Sequence, residues 1–159
     1  MMENILAIRE AIESDEVVIA NHLCQIALQI GVSPKSIRRD WLDRATKFID
    51  RARRELQYKG FIAEINDCVV GSASCQILEL YPMVSQEYQK GYIWGVCIEP
   101  SYRRQGIATR LMKEAMVYLK GIGCTKIVLH ASETGRLLYS SLGYRESNEM
   151  VLSLTDKEA

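Results

Sequence analysis

The stretch Glu99–Leu111, EPSYRRQGIATRL, gathers Arg103, Arg104 and Arg110 around a single glycine, Gly106, and an amphipathic pattern begins just beyond it. The first turn of a helix has N–H groups without intrahelical partners, and the helix dipole adds partial positive charge there. A phosphate group can accept from those N–H groups if the backbone approaches closely, which a residue without a side chain allows. Ala108 keeps the next turn small, and Arg103 and Arg104 add fixed charge with bidentate reach. A helix start with merely hydrated arginines is the other reading, and spacing alone leaves both open. No GxxxxGK[ST] occurs in the chain. The GIGCTK run from Gly121 follows a helical pattern and precedes a strand pattern, the wrong order for a dinucleotide site.

The elements that must position this stretch follow from periodicity. NILAIRE reads as a first strand. Ser14 is placed to cap a helix from Asp15 to about Ile30, and Ser33-Pro34 to open a second. In that second helix Trp41, Ala45, Phe48, Ile49, Ala52 and Leu56 recur at helical spacing, with arginines as the wet face. After Gly60 the period changes to that of strands. FIAEIN and VVGSASCQILEL flank the turn signal Asn66-Asp67, and YIWGVCIEP is a strand that Pro100 stops. A helix over Gln105–Lys120 ends at Gly121 and Gly123. CTKIVLHA is a short buried strand in which His130 is expected to be a satisfied structural histidine. ETGRLLYSSLG is a short helix, and NEMVLSL closes the chain as a strand. The order β-α-α-β-β-β-α-β-α-β implies an α+β fold, a mixed sheet with helices on both faces and one parallel βαβ crossover.

In this setting the chain resembles the GCN5-related N-acetyltransferases. Their motif Arg/Gln-x-x-Gly-x-Gly/Ala is matched by Arg103-x-x-Gly106-x-Ala108. Their later tyrosine before Leu-Gly-Tyr is matched by Tyr139 ahead of Leu142-Gly143-Tyr144. The resemblance is strong from Tyr92 to Leu154 and implies one acetyltransferase-like domain over residues 1–159, with a mostly antiparallel sheet of six to seven strands. It implies acetyl-CoA as donor, its pyrophosphate on the amides of Arg104, Gln105, Gly106, Ile107, Ala108 and Thr109, with charge from Arg103 and Arg104. The pantetheine arm would run beside YIWGVCI, paired with the backbone of Val96 and Ile98 next to Cys97, and Gly95 suits a bulge there. The Val96 N–H would be the oxyanion donor. Tyr139 would protonate the departing thiolate, with a packed core tyrosine as the alternative. Ser132, where many members have Asn, would lie near the cofactor arm, cap the following helix, or both. Arg136 would meet the cofactor or be solvated.

The base is not fixed by the resemblance. Its position falls near Tyr92, no base at neutral pH without a large shift, which leaves Glu79 or Glu149, or a water chain. A covalent route through Cys97 would need a basic partner that the sequence does not display. The acceptor is expected to be a primary amine of a small molecule or a peptide, held by residues around 21–41 and 81–92, with Tyr81, Met83, Tyr88, Glu79 and Glu87 on the loop. A non-catalytic acyl-CoA sensor is the alternative on the same fold.

Composition bounds these readings. The 159 residues are 48% hydrophobic and 25% charged, with twenty basic and twenty acidic side chains. That balance gives no overall field toward nucleic acid, and Asp40, Asp43, Asp50 and Glu55 interleave with the arginines of the second helix. Five cysteines without a CxxC pair and only two histidines argue against a metal site. No apolar run reaches the ~18–20 residues that a bilayer span needs, and no secretory leader is read at the N-terminus. The expectation is a cytoplasmic protein acting without metal, membrane or nucleic acid, with a homodimer left open.

Overall fold

A computed structural model describes residues 3–79 and 89–154. Among them, five strands and four α-helices alternate as β1 (Leu6–Glu10), α1 (Glu16–Gln29), α2 (Trp41–Glu55), β2 (Lys59–Ile65), β3 (Cys68–Leu78), β4 (Lys90–Ile98), α3 (Ile107–Gly121), β5 (Lys126–Val128) and α4 (Arg136–Ser141). The sheet order is β1-β2-β3-β4-β5. The first three pairs are antiparallel, and β4 and β5 run parallel across the α3 crossover.

The β2–β3 hairpin closes at Asn66-Asp67, whose φ values of 50° and 61° are the left-handed pair that a tight hairpin turn requires. β2 is buried on both faces. Phe61, Ala63 and Ile65 meet Ile107, Leu111, Met112, Ala115 and Leu119 of α3 in one core. Ile62 meets Ile19 of α1 and Ile49 and Ala52 of α2 in the other. Each fully buried Leu, Ile or Met stabilises the fold by roughly 1.5–3 kcal/mol, so the two helical layers are fixed to the sheet independently. α3 ends as its glycines suggest: Gly123 has φ 98°, and the Cys124 N–H reaches the Leu119 carbonyl at 3.0 Å. The wet face of α2 is internally neutralised. Arg44, Lys47 and Arg54 pair with Asp40, Asp43 and Asp50 one turn away, and Arg53 pairs with Glu16 of α1.

Several local expectations are corrected. Ser14 does not cap α1. The chain first makes a 3-10 turn at Glu13–Asp15, where the Asp15 carboxylate accepts the Ile12 N–H at 2.8 Å and is held by Arg9 at 2.7 Å. Ser33-Pro34 opens only a 3-10 turn, Pro34–Ser36, and α2 starts at Trp41, where Asp40 is bound by the guanidinium groups of Arg38 and Arg44. The sheet has five strands among the described residues rather than six to seven. NEMVLSL forms no ladder, and Met150, Val151, Leu152 and Leu154 are exposed. The neighbouring strand β5 pairs over three residues only, an edge too short to hold a seven-residue segment.

Candidate active site

The site is organised by a fault in β4. Trp94 pairs with Ser74 and Cys97 with Ser72, so Gly95 and Val96 together oppose the single residue Ala73. This is a β-bulge, and Gly95 carries its left-handed turn at φ 64°. A Cβ at Gly95 would lie 2.9 Å from Cδ2 of Leu23, so the glycine also lets α1 approach. On its other edge β4 is paired with β5 only through Tyr92, opposite Val128. From Ile93 to Ile98 the edge facing β5 is therefore unbridged. The side chains of Val96 and Ile98 pack on the α3 core, while Cys97 faces α1, its thiol 3.7 Å from Oε1 of Gln25.

The open edge leads to the Gly106 loop. After a 3-10 turn at Pro100–Tyr102, Arg104 and Gly106 both adopt positive φ, 60° and 79°. Such turns aim successive N–H groups outward. The first bond of α3 is the Arg110 N–H to the Gly106 carbonyl at 3.2 Å, so the amides of Ile107, Ala108 and Thr109 lack intrahelical partners. Nothing lies within 4 Å of a Cβ built on Gly106. Arg103 is partly committed, its Nε donating to the Ile98 carbonyl at 3.0 Å, whereas Arg104 makes no ion pair among the described residues. The side chains of Gln105 and Ile107 line a different cavity beside β1, of about 240 Å3. What the loop offers an anion is therefore backbone, with Arg104 beside it.

Tyr139 lies on α4 and packs against the core that α3 shares with the sheet. Its ring packs against Gly135 and meets Tyr144 edge-on at 6.0 Å, and burial raises its phenol pKa. Burial pushes Tyr144 up to about 12, and its hydroxyl has no partner among the described residues. Ser132 caps α4, Oγ accepting the Gly135 N–H at 3.2 Å and the carbonyl accepting that of Arg136 at 3.1 Å. Arg136 is engaged by Glu146 at 2.6 Å.

Of the two carboxylates singled out as bases, Glu79 is exposed at the end of β3. Glu149 lies 3.8 Å from Nε2 of His130, whose Nδ1 is 3.1 Å from the Tyr92 hydroxyl. His130 is thus 75% exposed at its side chain and not a buried structural histidine; β5 ends at Val128, before strand alternation can carry the ring inward. Burial, and secondarily Glu149, raises the Tyr92 pKa. The Cys97 thiol is pushed up to about 11 by burial, which keeps it protonated and disfavours an acyl-cysteine route. Tyr81, Met83, Glu87 and Tyr88 lie outside the described residues.

Sequence reasoning missed a polar seam on the α1 side. Ser72, Ser74 and Gln76 alternate along β3 and meet His22 at 2.6 Å, Tyr58 at 2.9 Å and Trp94 at 3.0 Å. His22 continues to Glu99 Oε1 at 2.9 Å. The signal was the alternation of polar residues in GSASCQ inside an apolar strand.

The mixed sheet is thus split between its parallel strands beyond Tyr92, and the split lies ahead of a helix mouth lined with open amides. The chain belongs to the acetyltransferase (GNAT) family, whose sequence profile matches residues 20–144. A glucosamine 6-phosphate N-acetyltransferase of Trypanosoma brucei brucei is 30% identical over 95 residues, 60% of this chain and 63% of that one. N-alpha-acetyltransferase 30 of Xenopus laevis is 30% identical over 87 residues, 53% of this chain and 30% of that one. The chain thus spans less than two thirds of either relative. In fold it is similar to a GCN5-related N-acetyltransferase from Ralstonia eutropha (TM-score 0.84, 22% identity, 94% of this chain and 98% of that one). It is also similar to a predicted acetyltransferase from Clostridium acetobutylicum solved with acetyl-CoA (TM-score 0.82, 24% identity, 94% and 96%).

Proposed function

We propose that the protein transfers an acetyl group from acetyl-CoA to a primary amine of a small molecule or peptide by direct attack on the thioester. The observation that carries this reading is the continuity of the unbridged β4 edge with the open amides at Gly106. The residues fit the donor: free N–H groups for its phosphates, and a strand edge for its amide-bearing arm. When bound, acetyl-CoA supplies the activated acyl group.

In this reading the amides of Arg104 to Thr109 hold the pyrophosphate, aided by Arg103 and Arg104, while Val96, Cys97 and Ile98 offer the strand edge. The Val96 N–H, at the bulge, stabilises the oxyanion in this reading. Tyr139, kept protonated by burial, gives its proton to the departing thiolate. Glu149 with His130 takes the proton from the amine, favoured over Glu79 by its contact with an imidazole. Ser132 orders the α4 entrance. Arg136 reaches the donor only by leaving Glu146.

The test is thiol release from acetyl-CoA across a panel of primary amines, with Tyr139→Phe as the probe variant. Transfer to at least one amine is expected, and Tyr139→Phe should lower kcat about 100-fold with little change in KM. Tight CoA binding with no transfer to any amine or peptide would instead identify a sensor.

A further inference from the structure

A cavity of about 420 Å3 opens between α1 and the end of β4, lined by Asn21, His22, Cys24, Gln25, Leu28 and Glu99 among others. Glu99 brings its only carboxylate. Four carboxylates among the described residues are not exposed: Asp15, Glu16, Glu64 and Glu99. The first three are each paired with an arginine, Arg9 or Arg53. Glu99 has no lysine or arginine partner among the described residues. It is held instead by His22 and Gln25 of α1. A carboxylate only accepts, so Nε2 of His22 donates to Oε1 of Glu99 at 2.9 Å, and Nε2 of Gln25 approaches the same oxygen at 3.4 Å. His22 is 1% exposed and fixed at Nδ1 by Ser72 at 2.6 Å. Both hydrogen bonds go to Oε1, leaving Oε2 without a partner among the described residues. A carboxylate aimed by a buried imidazole, with one oxygen unused and no lysine or arginine beside it among the described residues, can accept from a further cationic donor.

We propose that this cavity seats a cationic group of the acceptor on Glu99, so that the preferred acceptor is an amine carrying a second positive charge, of the α,ω-diamine class. The inference rests on the acetyl-transfer reading above for the nature of the bound molecule. Glu99 stands three residues beyond Val96, ~10 Å along a strand, and its side chain lies on the α1 face. One ammonium would sit on Glu99 while the other nitrogen, deprotonated, attacks. The apolar sides of Leu28 and Val18 would accommodate the carbon chain.

The experiment compares cadaverine with pentylamine, its singly charged match, as acceptors. The wild-type protein should favour cadaverine in kcat/KM by at least about tenfold, the size of one charge-assisted hydrogen bond, with the difference in KM. Glu99→Gln should bring the ratio close to one. Leu28 is 43% exposed, so Leu28→Arg leaves the core intact; its guanidinium, placed in the cavity, should also collapse the ratio. Titration of each protein with cadaverine, followed by calorimetry, reads binding without catalysis. Equal use of the two amines by the wild type, or a ratio that survives both variants, overturns the inference and leaves acetyl transfer standing. Cadaverine binding that Glu99→Gln abolishes, in a protein that acetylates no amine, upholds the cation site and removes the acetyl-transfer reading. Neither transfer nor binding overturns the inference.

Discussion

Gly106→Ala separates two consequences of one glycine. At φ 79° an L-residue is strained, so the substitution should cost ~1–2 kcal/mol of stability. Nothing lies within 4 Å of the new methyl group, so no steric cost adds to that strain. The methyl group would, however, project into the opening where the proposed function places the donor's pyrophosphate. Losing even one charge-assisted amide–phosphate bond is worth ~1.5–3 kcal/mol, roughly a 10–100-fold weakening of Kd. Gly31 supplies the control. It has φ 96° and likewise nothing within 4 Å, but sits at the end of α1. Gly31→Ala should therefore show the same loss in thermal unfolding with no change in CoA affinity. Calorimetric titration with CoA, beside melting curves of both variants, reads the two effects apart. An unaltered Kd in Gly106→Ala, or an equal weakening in Gly31→Ala, refutes the cradle.

Two further outcomes follow from burial and charge. Burial holds the Cys97 thiol up to about 11, so iodoacetamide should label it far more slowly at pH 7 than it labels exposed Cys68, with the Cys97 rate rising toward pH 11; mass spectrometry of the two peptides reads this, and fast labelling of Cys97 at neutral pH contradicts it. Asp15 has its pKa lowered, chiefly by the hydrogen bond from Arg9. A depressed folded-state carboxyl stabilises the fold above its unfolded value of ~3.9 and loses that contribution as pH falls through the folded one. Asp15→Asn should thus destabilise by about 1 kcal/mol at pH 7, discounted because Arg9 is one-third exposed and keeps Glu64. The gap from wild type should close below pH 4 in denaturant titrations, and a gap constant with pH would refute it.

The parts of this fold legible in the sequence are those whose cause is local. Asn66-Asp67 closes the hairpin through its own backbone preference, and Gly123 stops α3 in the same way. Arg103, Gly106 and Ala108 declare the helix mouth because a few adjacent residues build it. Contacts between distant elements were not legible. His130 was expected inside the sheet, yet it turned to Tyr92 once β5 ended after three residues. Ser14 lost its capping role to an arginine from β1 that claimed Asp15.

Glu99 shows why the division falls there. Before Pro100 it reads as an ordinary end-of-strand acid. In an unbroken β4, Tyr92, Trp94, Val96 and Ile98 would share one face, and Cys97 and Glu99 would point with Ile93 toward α3. The extra residue at Gly95–Val96 reverses that parity. Trp94 lies with Tyr58 and Phe48 on the α2 side, but Val96 and Ile98 pack on the α3 core. Cys97 and Glu99 therefore turn to Gln25 and His22 of α1. Gly95 was visible as a candidate bulge, so the opening of the strand edge could be inferred. The same bulge also sets which residues after it face the acceptor side, and that follows only once the register with Ser72 and Ser74 is known. One glycine thus couples the unbridged β4 edge to the carboxylate lining the neighbouring cavity, and deleting Val96 to restore the alternation should disturb both together.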